Sequence, residues 1–444
     1  MAISDNPRTK FHEWLYGDDD SRMCLDIPEN ACRQQPRNFV LHLLAALGNK
    51  LADELSSARL VLPWLLGIMG APAWMVGFLV PIREAGALLP QVLVAGLIRL
   101  IPERKWSWVI GGLIQSAAAF CLALLALFSA GTLGGSLVLL ALVVLSLARG
   151  LQSIASKDVL GKTIAKRRRG TLMGWSSSIA GAATLGAGAV LLWFDDRPSE
   201  IALAVLLAIA ALAWAGNALC AAAIVEEPGA TSGGHSAWQS IRSNWTVLRD
   251  DATFRNFNIT RALLLSSALA LPYLALIGQR QSGTELGGLG TLIVVSGLAS
   301  MIAGPIWGSR ADASSRRVMR DAAVGTLLCC CLGGVIPLLP GAISTSVWPY
   351  ALVYALLVIV HSGVRLGRKT YIVDMANAEN RALLIALSNT LTGVLMLVVG
   401  GLAGATAYVF GPVALLLMLA ATALLAAWFA MRLPEVEQDS SAPG

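Results

Sequence analysis

Four polar side chains occupy a short stretch of an otherwise apolar segment near the start of the chain. Asn49, Lys50, Asp53 and Glu54 lie inside a predicted membrane span at 39–66. A charge near the centre of a bilayer costs about 3 kcal/mol or more, so such a residue usually faces a water-filled cavity or a partner of opposite charge. Lys50 precedes the two carboxylates by three and four residues, a spacing that allows pairing along one helix. A cluster of this kind can exchange protons and hold a charged solute.

Arg83 and Glu84 interrupt a second apolar segment, at 74–98. Neighbouring residues lie about 100° apart on a helix, so we expect one of the two to face a cavity and the other to pack against a helix. One of the three carboxylates of these two spans is a candidate for proton exchange. Lys50 and Arg83 are candidates to hold an anionic group of a solute or to set the pKa of a neighbouring carboxylate. The alternative is a structural network that neutralises its own charges.

Later apolar segments contain further candidate residues of a substrate and proton pathway. These residues are Arg149, Tyr273, His361 and Asn389. Arg149 lies toward one end of its span, where a long cationic side chain can also reach the membrane surface. His361 has apolar neighbours, and we interpret it first as a hydrogen-bonded packing residue and second as a proton relay.

Composition defines the elements that position these side chains. Hydrophobic residues make up 56% of the 444 residues and charged residues only 14%, a balance outside that of soluble domains. A span needs about 20 apolar residues to cross a membrane. Twelve such segments are predicted, at 39–66, 74–98, 106–127, 135–156, 171–193, 201–225, 259–277, 286–307, 322–339, 347–365, 383–405 and 412–430.

The placement of the basic residues predicts the topology. Most of the 33 Lys and Arg residues fall in alternate loops, and basic loops remain on the cytoplasmic side of a membrane. Both termini are therefore expected in the cytoplasm, and we expect a bacterial cytoplasmic (inner) membrane. Because the basic residues follow the loops, they give no support to nucleic-acid binding.

The same pattern divides the chain into five parts. We predict a cytoplasmic extension, a first six-helix bundle, a linker, a second six-helix bundle and a tail, at 1–37, 38–225, 226–256, 257–432 and 433–444. Within the linker, apolar residues share one face of a predicted amphipathic helix at 237–249, which should lie on the membrane surface.

A short motif between two of the predicted spans occurs twice. The later copy consists of Gly308, Asp312, Arg316 and Arg317. The earlier copy consists of Gly96, Arg104 and Lys105, with Leu100 in the place of the aspartate. Two parallel half-repeats in a membrane protein indicate a duplicated bundle. The later copy resembles the cytoplasmic loop signature of the major facilitator superfamily.

This resemblance implies an all-α membrane protein of twelve transmembrane helices, in two pseudo-symmetric six-helix bundles around a central pathway. It implies that the pathway opens alternately to either side, and that the motif residues form a conformational latch. In similar proteins the spans that contain charges surround the pathway. Spans three, six, nine and twelve, which have no ionisable residue, face the lipid.

The expected function is secondary transport of a small organic solute, coupled to protons. Export is favoured because Arg149 partly matches an arginine that the superfamily's exporters have in this span. Uptake of an anionic metabolite is one alternative, and a lipid-handling or non-transporting membrane partner is another. No enzyme signature such as a phosphate-binding loop or a nucleophile elbow occurs. We therefore expect no catalytic residue, cofactor or metal. The expected partners are the lipid bilayer, a small-molecule substrate and protons, and the protein is expected to be a monomer.

Overall fold

A computed structural model describes residues 29–88, 101–193, 199–228, 247–283, 286–376 and 381–436, and these residues are almost entirely helical. Span one consists of two helices, Glu29–Leu55 and Val61–Ile68. Spans two to six are Val76–Leu88, Lys105–Phe128, Gly131–Thr163, Lys166–Trp193 and Ser199–Ala223.

The second half of the chain repeats this order. Span seven consists of Ala252–Leu263 and Leu265–Ser282, and spans eight to ten are Leu286–Ala313, Ser315–Val335 and Val347–Met375. Spans eleven and twelve share the helical segment Arg381–Met431, which is interrupted at Gly411, where φ is 86°. Only glycine adopts such a φ without strain, so the chain turns back at this residue.

Within the described residues, nine helices are long and apolar enough to cross a membrane. That number counts Arg381–Met431 once although it contains two spans, and it omits span one, which is divided, and span two, which is described only as far as Leu88. Three additional spans bring the total to twelve, so the predicted twelve-helix architecture is confirmed.

Several spans begin earlier than their hydropathy predicts, and spans one and seven are two of them. Span one is already helical at Glu29, and its Asn38 side chain donates to the Val225 carbonyl at 2.9 Å and accepts from the Val225 amide at 3.0 Å. Span seven begins at Ala252, where Asp251 caps the helix by accepting from the Phe254 amide at 2.9 Å. Hydropathy marks only the apolar part of a helix, and these polar first turns continue it because their hydrogen bonds are satisfied. Most of the predicted extension 1–37, the amphipathic helix 237–249 except its last residues, and most of the tail 433–444 lie outside the described residues.

Spans three, six, nine and twelve expose apolar side chains along their length. Examples are Phe120, Leu212, Leu328 and Leu424, which are 54%, 72%, 57% and 56% exposed. Apolar surface of this extent on long helices suits contact with lipid. These are the spans that the charge pattern assigns to the lipid face.

The two halves meet closely at one end of the bundle, which we call the loop end because the turns 69–72 and 339–346 lie there. The opposite end, where Glu29 and Val436 lie, is the terminal end. At the loop end the Gln279 amide donates to the Trp64 carbonyl at 2.8 Å. Small residues of spans two and eleven also let the backbones approach here, as small residues do in membrane helices.

Gly77 is one of these interface residues. A Cβ on Gly77 would lie 2.6 Å from the Tyr273 hydroxyl oxygen and 2.8 Å from Cα of Gly404, in the other half. Gly77→Val is expected to separate the halves at the loop end, because overpacking costs about 1–3 kcal/mol, enough to shift a two-state equilibrium about tenfold. Spin labels can be placed at Phe128 and Trp348, which are both exposed at the loop end. Electron paramagnetic resonance should then show an additional population with a longer distance between the labels.

Gly216→Val in span six provides the matched control, since a Cβ there meets no atom within 4 Å. It should leave the distance distribution unchanged. An unaltered distribution in Gly77→Val would mean that this contact does not hold the halves together.

Candidate functional site

The first two carboxylates of the site lie directly before a break in span one. The helix Glu29–Leu55 ends just after Asp53 and Glu54, and the chain turns through 56–60 before Val61–Ile68. Ser56 donates its hydroxyl to the Ala52 carbonyl at 2.8 Å, and the Ser57 hydroxyl accepts from the Arg59 amide at 3.3 Å. Serine side chains compete with the helix for backbone groups in this way. Interrupted helices occur at membrane depth where the freed backbone lines a cavity or packs inside protein.

Asp53 binds two arginines from neighbouring spans. Its Oδ1 accepts from Arg83 of span two and from Arg149 of span four. The Asp53 and Arg83 side chains are only 17% and 10% exposed, and Arg149 is 34% exposed. One carboxylate therefore joins three spans of the first half and leaves one positive charge uncompensated.

Glu84 has a different partner from its neighbour Arg83. Its carboxylate forms an ion pair with Arg59, from the break in span one, at 2.9 Å. The Glu84 side chain is 38% exposed, whereas Arg83 is buried. Glu84 therefore faces an open space, and Arg83 lies in a packed interface. Arg365 and Arg368 of span ten, in the other half, also act electrostatically on Glu84.

Glu54 faces an open space between the halves. Its side chain is exposed, and among the described residues it has no ion pair. Arg365 lies within electrostatic range of it from the opposite half and is also exposed. Glu54 and Arg365 are therefore two exposed side chains of opposite charge that belong to different halves and interact electrostatically.

The other predicted pathway residues lie in packed interfaces. Asn49 accepts from the Trp214 indole at 3.2 Å, and His361 shares a hydrogen bond of 3.0 Å with Ser267. Asn389 accepts from Arg261 at 2.8 Å. Tyr273 is buried beside Gly77 in the closed loop end. Lys50 is half-buried one turn before Asp53.

Three arginines of this site, Arg59, Arg365 and Arg368, are not predicted from the sequence as its members. Arg59 follows two serines inside an apolar segment, and this polar interruption of a span was an available signal for a discontinuous helix. Arg365 and Arg368 lie near the end of a span, where a basic residue is ordinary. Only the approach of the two halves shows that they face Glu84.

The predicted latch residues form a clamp in each half. In the second half, Glu435 binds Arg316 at 2.7 Å, lies 3.6 Å from Arg317, and accepts from the Ser314 hydroxyl at 2.7 Å. Gly308 and Asp312 both lie in span eight. Gly96 and the side chain of Asp312 lie outside the described part of the chain.

The first half has the corresponding arrangement. Glu226 accepts from the Lys105 amide at 2.7 Å and binds the Lys162 ammonium at 2.8 Å, while Arg104 pairs with Asp158. Leu100 in place of an aspartate predicts a firm conformational latch only in the second half, and this stays a prediction. The two clamps act within each half, and their glutamate comes from the segment after span six or twelve and not from the motif.

Glu226→Gln is expected to lower the free energy of unfolding by about 1–3 kcal/mol, because the Glu226 carboxylate is fully buried and its donors would lose a charged acceptor. Thermal unfolding in detergent measures the effect. Glu103→Gln is the control: Glu103 is 40% exposed and lies 3.6 Å from Lys105, and a surface pair of this kind contributes less than about 1 kcal/mol. Equal effects of the two substitutions would contradict the role of Glu226.

No family model and no curated protein matches the chain. Solved structures do match it along almost its whole length. A POT family transporter in complex with 5-aminolevulinic acid has a TM-score of 0.69 at 13% identity, over 92% of this chain and 98% of that chain. The nucleoside transporter NupG has a TM-score of 0.68 at 14% identity, over 88% and 99%.

The xylose transporter XylE from E. coli, in an inward open conformation, has a TM-score of 0.66 at 11% identity, over 90% of this chain and 98% of that chain. These neighbours are transporters and not enzymes. The chain therefore has the fold of the major facilitator superfamily, in agreement with the resemblance of its loop motif.

Proposed function

We propose that this protein is a proton-coupled secondary transporter of a small organic solute. The observation that supports this most directly is the charged cluster at the break in span one. It lies between two pseudo-symmetric halves whose described residues meet at the loop end. Charged side chains at this depth are costly unless they serve a pathway or a partner.

The terminal end corresponds to the cytoplasm in this proposal, because the basic loops lie at that end. The described state is then open to the cytoplasm, and transport requires the halves to close at the terminal end and part at the loop end. The clamps of Glu226 and Glu435 hold the terminal ends of the two halves as separate rigid units during this motion.

Glu54 is our candidate for the proton carrier. Asp53 is held between two arginines and Glu84 is paired with Arg59. Protonation of either carboxylate would therefore leave an arginine without its counter-ion. Glu54 is exposed and has no ion pair among the described residues, so it can gain and lose a proton from the cavity.

Export is the proposed direction, on the partial match of Arg149 to the superfamily's exporters, and uptake is the second candidate. Export and uptake both predict proton movement coupled to the solute, but in opposite directions relative to the solute. A solute driven out of the cell by the gradient exchanges with protons, whereas a solute taken up moves with them.

The test is proton flux in proteoliposomes loaded with a pH-sensitive dye. Purified protein is challenged with pools of organic anions, cations and neutral compounds, and protein-free liposomes serve as the control. We expect one chemical class to evoke a pH change, whose sign gives the direction. If no pool evokes a change and no labelled solute accumulates, the transport proposal is wrong.

A lipid-handling function would be tested in the same vesicles by measuring lipid exchange between leaflets. Truncation of the N-terminal extension should stop at residue 28, so that the described helix Glu29–Leu55 is kept whole. Lipid movement that requires the extension, without any solute flux, would favour the lipid-handling alternative.

A further inference from the structure

We propose that Arg365 and Arg368 of span ten bind a negatively charged group of the transported solute, so that the substrate is an organic anion. This inference rests on the proposed transport function and specifies its substrate class. The sequence makes Lys50 and Arg83 candidates for this role, but the Arg83 guanidinium already binds Asp53.

Among the described residues of the site, arginines outnumber carboxylates. The arginines are Arg59, Arg83, Arg149, Arg365 and Arg368, and the carboxylates are Asp53, Glu54 and Glu84. Asp53 alone takes two of the arginines and Glu84 takes Arg59. The imbalance is positive, and a cavity of one sign concentrates ions of the other.

Arg365 and Arg368 are the two arginines of this set without a protein acid. In the described structure neither has an ion pair or a hydrogen bond, although both act electrostatically on Glu84. They are three residues apart and therefore lie on one face of their helix. Arg365 is exposed and Arg368 is partly exposed, so an anion in the cavity can reach both.

Two other arginines of the terminal end are paired with acids. Arg316 binds Glu435 at 2.7 Å, and Arg320 binds Asp321 at 2.7 Å. Arginines that serve only the orientation of the protein can pair with surface acids in this way. Arg365 and Arg368 instead act electrostatically on Glu84 of the other half, and neither has an ion pair among the described residues.

Two guanidinium groups on one helical face suit a carboxylate, phosphate or sulfate. Each presents planar N–H donors that can bind such a group through two parallel hydrogen bonds. An anion bound there lies opposite Glu54 and Glu84, and a second anionic charge would be repelled. Protonation of Glu54 would reduce that repulsion, which links anion binding to proton binding.

The experiment measures thermal unfolding of the purified full-length protein with phosphate, sulfate, succinate or benzoate, beside the neutral succinamide and benzamide and the cation 1,4-diaminobutane. A ligand that binds only the folded protein raises the midpoint. We expect at least one anion to raise it in a saturable manner while its neutral analogue does not. Arg365→Gln and Arg368→Gln should each raise the Kd about tenfold or more.

Arg320→Gln is the matched control, an arginine of the same half that should leave the Kd unchanged. Arg365→Lys keeps the charge, so it should weaken binding but preserve the preference for anions even if Arg365→Gln folds poorly. Binding that is unchanged in the Arg365→Gln, Arg368→Gln double variant would overturn the assignment of these residues.

The two levels of the proposal fail in different ways. If only a neutral or cationic probe stabilises the protein and evokes proton flux, transport stands and the anionic substrate class is wrong. If no probe of any charge binds and none evokes flux, the transport function itself is wrong and this inference with it.

Discussion

Asp53→Asn is expected to lower the free energy of unfolding by about 3 kcal/mol and to abolish transport. The substitution removes the single carboxylate shared by Arg83 and Arg149 and leaves two guanidinium groups without a counter-ion in the membrane. Breaking a buried pair by removing one partner is strongly destabilising, because the remaining charge stays buried. Such losses are about 3–5 kcal/mol, and we expect the low end because Arg149 is 34% exposed. Thermal unfolding in detergent and the yield of folded protein measure the effect.

A second substitution separates charge imbalance from a loss of packing. Asp53→Asn combined with Arg149→Gln leaves only Arg83 beside the amide, so a large part of the stability should return. Transport should stay absent, because the link between spans one, two and four is still missing. An Asp53→Asn variant as stable as the wild type would show that the two pairs contribute nothing to the fold, and the cluster would then be free to act as a proton site.

Glu54→Gln should leave the fold intact and remove the response to a pH gradient. The glutamine keeps the size of the side chain and cannot release a proton, and Glu54 has no ion pair in the described structure to lose. Solute accumulation driven by a pH gradient should fall about tenfold or more, within the usual range of coupling between two ligands. Exchange of labelled for unlabelled solute, which needs no net proton movement, should continue near the wild-type rate.

Glu84→Gln is the control for this result. It removes the ion pair with Arg59, so it should reduce exchange and pH-driven accumulation together. A Glu54→Gln protein that still accumulates solute against a pH gradient would assign the proton to another group. Loss of both activities in Glu54→Gln would indicate that Glu54 holds the solute or the structure.

Much of the architecture follows from the sequence alone. A membrane excludes polar surface, so each span needs a run of apolar residues whatever it packs against. The twelve spans and the lipid-facing role of spans three, six, nine and twelve can therefore be predicted from composition and charge. Asp53, Glu54, Arg83, Glu84 and Arg149 stand out for the same reason, because a charge in such a run needs a specific explanation.

The pairing of these charges was decided by the tertiary structure. Asp53 and Arg149 are 96 residues apart. No local sequence pattern determines the relative orientation of two helices that brings such side chains into contact. Asn49, His361 and Asn389 are also polar residues inside predicted spans, yet each finds a partner in a packed interface. Arg365 and Arg368, by contrast, look like ordinary basic residues at the end of a span until the second half is placed against the first. Sequence determines which residues must be satisfied inside a membrane, and the packing of the two halves determines which remain available for a solute.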